Sequence, residues 1–129
     1  MEIDGFQVYL PHIMHELSIA MSIVDIASKK AEAAGAWRVD QVDLDIGILS
    51  GIEFESLEFA LSVAVKDSSL EGTRFKINRI EALCECNSCT CLYAPGQDFR
   101  ACPECGNLDA EFIRGKELQI KSLIIDQKE

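Results

Sequence analysis

The chain has 129 residues, of which 48% are hydrophobic and 26% charged, and its formal net charge is −10. This length suits one globular domain with room for a small metal-binding module. No apolar run is long enough to span a membrane, and the acidic balance disfavours nucleic-acid binding, which depends on Lys and Arg contacts to phosphate. The opening segment Met1–Ile13 has no lysine or arginine, unlike a secretory signal. We therefore expect a cytoplasmic protein.

Hydrophobic periodicity predicts two helices in the first half of the chain. We interpret Met1–Ile13, which contains a proline, as an arm or a short edge strand. Apolar residues then recur every three or four positions over 17–34, and Gly35 can cap the helix that this pattern predicts. A second helical stripe runs over 53–65, with acidic residues at its start, where they suit the helix dipole.

Three strands are predicted from alternating apolar residues. They are Gln41–Ile46, then Thr73–Ala82 with a change of phase at Ile80 that indicates a bulge, and a closing strand over Leu118–Ile125. We expect the last two strands to be neighbours in one sheet, with the segment between them as an excursion. The predicted fold class is α+β: a small sheet packed against two helices, with an inserted zinc-ribbon-like module of four cysteines.

Four of the six cysteines are spaced as in a metal site. Cys86 and Cys89 form one Cys-x-x-Cys pair, Cys102 and Cys105 form another, and both pairs lie in turn-rich sequence. Two such turns can bring four thiolates to one ion, as in tetrahedral zinc sites. Gly106 suits the second turn because glycine can adopt positive φ.

Other uses of the cysteines are less favoured. Disulfides do not suit a reducing cytosol, and a redox Cys-x-x-Cys would open a helix after a strand. Iron also binds four-thiolate sites, so the spacing leaves both metals open, and zinc is the interpretation that we favour. Four protein ligands leave no open position, which indicates a structural role. We interpret Cys84 and Cys91 as small residues of strands entering the module and assign neither as a ligand.

A second motif, Met14-His15-Glu16, lies just before the first helix. Alone, such a motif is most often a surface histidine near a helix start. It occurs here together with a strand ending at Gly47, with Gly51-Ile52-Glu53 opening the second helix, and with Cys-Pro-Glu-Cys-Gly in the cysteine segment. This combination resembles the HypA/HybF family of hydrogenase maturation proteins over residues 14 to about 126.

The resemblance implies a nickel metallochaperone that helps deliver Ni(II) to the large subunit of a [NiFe]-hydrogenase and, in some members, to urease. It also implies work with a HypB-type GTPase, and with urease maturation proteins in those members. Carried over residue by residue, the nickel-binding residues fall on Met14, His15, Glu16 and Glu53. The zinc ligands fall on Cys86, Cys89, Cys102 and Cys105.

The chain departs from the family pattern at its start. In the family the Met-His-Glu motif usually begins the chain, so that a free amine is available to the metal, whereas thirteen residues precede Met14 here. Either translation starts at Met14, or nickel is bound without an amine by His15, Glu53 and His12. Ni(II) accepts imidazole, backbone nitrogen and carboxylate donors, so both arrangements suit its chemistry.

These interpretations divide the chain into an N-terminal extension (1–13), a nickel-binding α/β domain (14–83 and 117–129) and a zinc module (84–116). The alternative function is a zinc-ribbon interaction module without nickel, and the two differ in whether nickel is bound stoichiometrically. An enzyme is disfavoured because the sequence shows neither a nucleophile paired with a base nor a phosphate loop. The sequence leaves the oligomeric state open, because an edge strand of the sheet could pair with the same strand of a second chain.

Overall fold

The computed structural model describes residues 1–3, 8–9, 15–95 and 101–127, and this part of the chain forms two helices and two sheets. The helices are α1 (Glu16–Ala33) and α2 (Phe54–Ala64). The larger sheet contains β1 (Glu2–Ile3), β2 (Val8–Tyr9), β3 (Ala36–Gly47), β4 (Arg74–Ile80) and β8 (Leu118–Gln127). The smaller sheet contains β5 (Leu83–Cys86), β6 (Leu92–Tyr93) and β7 (Ala110–Arg114). The predicted fold class is confirmed.

The hydrophobic core lies between the two helices and one face of the larger sheet. Val42, Leu44 and Ile46 alternate along β3 and are fully buried. They share the core with Ile19 and Ile23 of α1, which are also fully buried. Each of these large aliphatic side chains contributes about 1.5–3 kcal/mol by leaving water. The alternation and the helical stripe seen in the sequence therefore meet in one core.

Strand β3 is central to the larger sheet. It pairs in parallel with β4 on one side and antiparallel with β8 on the other, and β1 and β2 pair with the far edge of β8. The expectation that β4 and β8 are neighbours is therefore wrong, because β3 lies between them. Parallel strands need a long crossover connection, and α2 supplies it between β3 and β4.

The predicted bulge at Ile80 is also wrong. The pairing of β4 with β3 is continuous from Arg74 to Ile80, and the change of phase marks the end of the strand. Register shifts occur instead between β3 and β8. The pairing of β1 and β2 with β8 confirms an edge-strand role within the segment 1–13, although His12 and Met14 lie outside the described residues.

Both helices begin at the same end of the larger sheet. Helix α1 reaches β3 through a very short turn containing Gly35, whose φ is +75°, so α1 runs antiparallel to β3. Helix α2 returns the chain from the end of β3 to the start of β4, so it also runs antiparallel to β3. The helix starts, the last residue of β3 and the entry to the smaller sheet thus share one end. Neither described helix combines the length and apolar character needed to cross a membrane.

Candidate metal centre

The four cysteines of the two Cys-x-x-Cys pairs converge at the end of β5 and in the turns attached to the smaller sheet. Their sulfur atoms lie within 4.8 Å of one another, with 3.5 Å between the Sγ atoms of Cys86 and Cys105 and 3.6 Å between those of Cys89 and Cys102. A tetrahedral zinc–thiolate site with bonds of about 2.3 Å has sulfur atoms about 3.8 Å apart. Among the described residues, no second group of three or more histidine, cysteine or acidic side chains comes this close together.

The first pair lies in a tight turn that begins at the end of β5. The N–H of Cys86 donates to the carbonyl of Cys91 (2.9 Å), and the N–H of Thr90 donates to the carbonyl of Cys86 (3.0 Å). The N–H of Ser88 donates to the sulfur of Cys86 (3.4 Å). Thr90 adopts a positive φ of 61° to close this turn.

The second pair repeats the same backbone arrangement. The N–H of Cys102 donates to the carbonyl of Asn107 (2.9 Å), and the N–H of Gly106 donates to the carbonyl of Cys102 (2.9 Å). The N–H of Glu104 donates to the sulfur of Cys102 (3.4 Å), and Gly106 has a φ of 77°. Two equivalent turns therefore each present two sulfurs to a common centre.

Backbone dipoles aimed at the first cysteine of each turn favour its thiolate. The N–H groups of Cys89 and Ser88 lower the pKa of Cys86. Burial opposes ionisation of Cys102, but the N–H groups of Cys105 and Glu104 outweigh it and lower the pKa of Cys102 to about 6.

The second cysteine of each turn behaves in the opposite way. The N–H of Cys91 favours the thiolate of Cys89, but partial desolvation of its sulfur and the neighbouring sulfurs of Cys102 and Cys105 raise the pKa of Cys89 to about 12. The N–H of Asn107 is likewise outweighed, chiefly by the sulfur of Cys86, so the pKa of Cys105 is raised. Four thiolates this close repel one another, and a divalent cation is the group that would compensate them.

The remaining two cysteines lie beside this group without joining it. Cys84 is on β5 with 3% of its surface exposed, and burial raises its pKa. Cys91 is half-buried, and its sulfur donates to the carbonyl of Leu92 at 3.5 Å. All six cysteines lie in the described part of the chain and are free thiols.

Comparison with known proteins identifies the family. Residues 14–125 match the family described as hydrogenase/urease nickel incorporation, metallochaperone, hypA. The chain belongs to the HypA family. It is 42% identical over 115 residues to hydrogenase maturation factor HypA of Parabacteroides distasonis, which covers 89% of this chain and 100% of that protein. It is 38% identical over 113 residues to the Chlorobium phaeobacteroides protein of the same name, with 88% and 100% covered.

A solved structure shares the fold of this HypA-family chain. The solution structure of the Ni metallochaperone HypA from Helicobacter pylori aligns with a TM-score of 0.64 at 21% identity, over 89% of this chain and 100% of that one. Family membership places the chain among proteins of nickel incorporation and hydrogenase maturation.

His15 is the N-cap residue of α1, with φ −74° and ψ 161°. Its carbonyl accepts the first helical hydrogen bond, from the N–H of Ile19 at 2.9 Å. Its imidazole is exposed and makes no capping hydrogen bond to the described backbone of the helix. Glu16 is the first residue of α1 and is half-buried, whereas Met14 lies outside the described residues.

Glu53 has a structural role that the sequence analysis missed. It is the N-cap residue of α2, and its carboxylate accepts hydrogen bonds from the N–H groups of Ser56 (2.6 Å) and Glu55 (3.3 Å). The side chain and the N–H of Ser56 are the main reasons that the pKa of Glu53 is lowered. The available signal was an acidic residue at the first position of the helical stripe, where a carboxylate suits the helix dipole.

The candidate nickel residues share one end of the molecule without forming a compact cluster. The two helices pack against each other and begin at the same end of the sheet, which places His15 and Glu53 at that end. His15, Glu16 and Glu53 nevertheless do not form a group of three ligand atoms within 4.8 Å among the described residues. The structure thus brings the candidate zinc ligands into one close group. It places the candidate nickel ligands only at the same end of the molecule.

The positive φ of Thr90 generates a prediction about the first turn. A β-branched residue in this region is strained by about 1–2 kcal/mol, and glycine removes that strain while adding some flexibility to the unfolded chain. We expect Thr90→Gly to stabilise the module by about 1 kcal/mol or less. Chemical denaturation followed through the NMR signals of residues 84–95 measures this change.

Thr90→Ala is the matched control for this substitution. It removes the hydroxyl that donates to the carbonyl of Cys89 but keeps the strained Cβ. Equal stability of the alanine and glycine variants would show that strain at this position is negligible.

Proposed function

We propose that this chain is a nickel metallochaperone that binds Ni(II) reversibly at the end of the sheet where both helices begin. One observation carries the proposal: an exposed histidine and an exposed carboxylate residue begin the two packed helices at that end, in a chain of the HypA family. An exposed site suits a metal that must be passed on. Hydrogenase maturation, with urease as a further target, is the process that the family name supports.

The four-cysteine group is proposed to hold a structural zinc ion through Cys86, Cys89, Cys102 and Cys105. The sulfur spacing and the N–H donors fit a closed tetrathiolate site, with no open position for substrate. Because these residues lie on the smaller sheet and the turns attached to it, between β4 and β8 in the chain, we propose 84–116 as the zinc module. The nickel-binding domain is then 14–83 with 117–129, and 1–13 is an extension.

Nickel is proposed to bind through His15, with Glu16, Glu53 and Met14 as further ligands or neighbours. Ni(II) takes imidazole, backbone nitrogen and carboxylate donors, and these residues supply all three. Binding by such groups displaces protons, so affinity should fall in acid. Coordination by Glu53 would also compete with the hydrogen bonds that cap α2.

The proposed partners are a HypB-type GTPase and the large subunit of a [NiFe]-hydrogenase, with urease maturation proteins as a second group. We place the chain in the cytoplasm, acting as a carrier and not as an enzyme. A second copy of the chain is a further proposed partner, which would pair through the sheet edge.

A zinc-ribbon interaction module without nickel is the second candidate function. Exposed apolar side chains on the smaller sheet and its loops favour it: Leu92, Leu108 and Ile113 are 58%, 78% and 50% exposed. Such residues suit a contact with another protein. The two candidates differ in whether the zinc-loaded chain binds nickel stoichiometrically.

A Ni(II) titration of the zinc-loaded chain tests the proposal. We expect the parent to bind about one nickel and His15→Ala to bind none, because the imidazole is the strongest neutral donor of the set. Zinc content should not change in either protein. Isothermal titration calorimetry with metal analysis measures both quantities.

His12→Ala, which changes the other histidine, is the matched control. If His12→Ala still binds nickel, the site is assigned to His15. If His12→Ala and His15→Ala lose nickel binding equally, the site is assigned to both histidines. A chain begun at Met14 supplies the free amine in the same assay. Failure of the full and the shortened chains to bind nickel specifically would contradict the proposal.

Substitutions of Glu53 separate its capping role from a ligand role. Serine caps helices well, whereas its neutral hydroxyl is a poor nickel ligand. We expect Glu53→Ser to preserve the helical circular dichroism signal and weaken nickel binding, and Glu53→Ala to reduce both. Nickel affinity equal to the parent in Glu53→Ser would show that Glu53 is a cap alone.

The zinc assignment predicts the effect of removing one thiolate. We expect Cys89→Ser to lose zinc and to loosen the segment 84–105, because modules of this size are held by metal more than by a core. The helices and larger sheet should keep much of their circular dichroism signal, because their core is separate. Cys91→Ser, at a cysteine outside the group of four, should keep its zinc. A full equivalent of zinc in Cys89→Ser would refute the assignment.

A further inference from the structure

Two glycines bring the larger sheet and the cysteine module into direct backbone contact. A Cβ atom added to Gly47, the last residue of β3, would lie 2.0 Å from the carbonyl oxygen of Gly115 and 2.5 Å from the N of Lys116. Both are backbone atoms, so no side chain can turn away to make room. Gly47 is not among the residues with positive φ, which means that the close approach, and not a turn, requires glycine there.

Hydrogen bonds join the end of β3 and the loop after it to both chain segments that connect with the module. The N–H of Gly47 donates to the carbonyl of Glu117 (2.7 Å), and the N–H of Leu49 donates to the carbonyl of Gly115 (2.7 Å). On the other side, the N–H of Ile48 donates to the carbonyl of Ile80 (3.0 Å). We call residues 80–82 and 115–117 the neck, since they lead into and out of the smaller sheet.

The neck is itself closely packed. Gly115 has a φ of 119°, and a Cβ atom on it would lie 2.7 Å from the Cα of Ala82. Its N–H donates to the carboxylate of Glu117 at 2.7 Å. Away from the neck, the described strands of the smaller sheet make few contacts with the helices and the larger sheet. The orientation of the module therefore depends mainly on this small region.

The loop held by the neck continues directly to the start of α2. Within it, the N–H of Ser50 donates to the carbonyl of Gly47 (3.0 Å), and the N–H of Ile52 donates to the hydroxyl of Ser50 (3.2 Å). Ile52 is buried in the core and immediately precedes Glu53. The position of Glu53 and the orientation of the module are thus fixed by the same short segment.

We propose that the contact between Gly47 and Gly115 is a latch, and that these two glycines are positioning residues for the nickel-binding end of the chain. The latch holds the four-cysteine module in one orientation beside the helix starts that carry His15 and Glu53. The nickel part of this inference rests on the proposed function. The latch itself is a property of the backbone.

Gly47→Ala tests the latch in the zinc-loaded chain. The added methyl group must push the two backbones apart, so the N–H of Leu49 should exchange with solvent faster than in the parent. Residual dipolar couplings should show that the module no longer keeps its original orientation relative to the larger sheet. Zinc content should remain at one equivalent, and nickel affinity should fall several-fold.

Gly72→Ala is the control variant. Gly72 has a φ of 87° and no atom within 4 Å of an added Cβ, so its substitution costs stability through strain at a site outside the neck. It should leave three quantities unchanged: the rate at which the N–H of Leu49 exchanges with solvent, the orientation of the module relative to the larger sheet, and the nickel affinity. An equal fall in nickel affinity in both variants would overturn the positioning role, because general destabilisation would then explain the effect.

Glu117→Ala provides a milder second variant if Gly47→Ala does not fold. It removes the carboxylate that accepts a hydrogen bond from the N–H of Gly115. Exchange at the N–H of Leu49, the orientation of the module and the nickel affinity should change in the same direction as in Gly47→Ala, but to a smaller extent. If a folded Gly47→Ala or Glu117→Ala variant keeps both the parent exchange rate at the N–H of Leu49 and the parent orientation of the module, the latch is overturned. These two measurements need no nickel. A parent chain that binds no nickel would instead overturn the proposed function and, with it, the positioning role.

Discussion

Burial of the apolar face of β3 is the constraint on which the rest of the structure depends. Val42, Leu44 and Ile46 must be covered, and both helices pack on that one face to do so. Since β3 also pairs with a strand on each side, its neighbours and both helices take their directions from it. The two helices consequently start at one end of the sheet, which is where the chain also enters and leaves the cysteine module.

The two candidate sites differ in how strongly the protein would hold a metal. In the cysteine module, two equivalent turns gather four sulfurs, and N–H groups already favour the thiolate at Cys86 and Cys102. A divalent cation in that group would be enclosed by protein ligands. The helix starts by themselves disfavour a cation, because each helix N-terminus carries a partial positive charge of about one half. The carboxylates of Glu16, Glu53 and Glu55 offset that charge, and a cation held there would remain exposed and exchangeable.

Glu53 illustrates how one residue can meet two demands. Its carboxylate caps α2, and the hydrogen bonds from Ser56 lower its pKa, which favours the ionised form. The same carboxylate lies on the loop whose backbone is bonded to the neck of the module. Residues 47–53 therefore serve three roles: they support the start of α2, they set the position of that start relative to the module, and they carry a proposed metal ligand.

The sequence by itself determined the two helices, the three long strands and the spacing of the four cysteines. Alternation in β3, the helical stripes and the spacing of the two Cys-x-x-Cys pairs follow from periods of two and 3.6 residues and from the reach of a tight turn. The tertiary structure alone decided that β3 separates β4 from β8 and that Gly47 touches Gly115. These features join residues far apart in the chain or depend on which neighbour occupies a given space, and a local pattern carries no record of either.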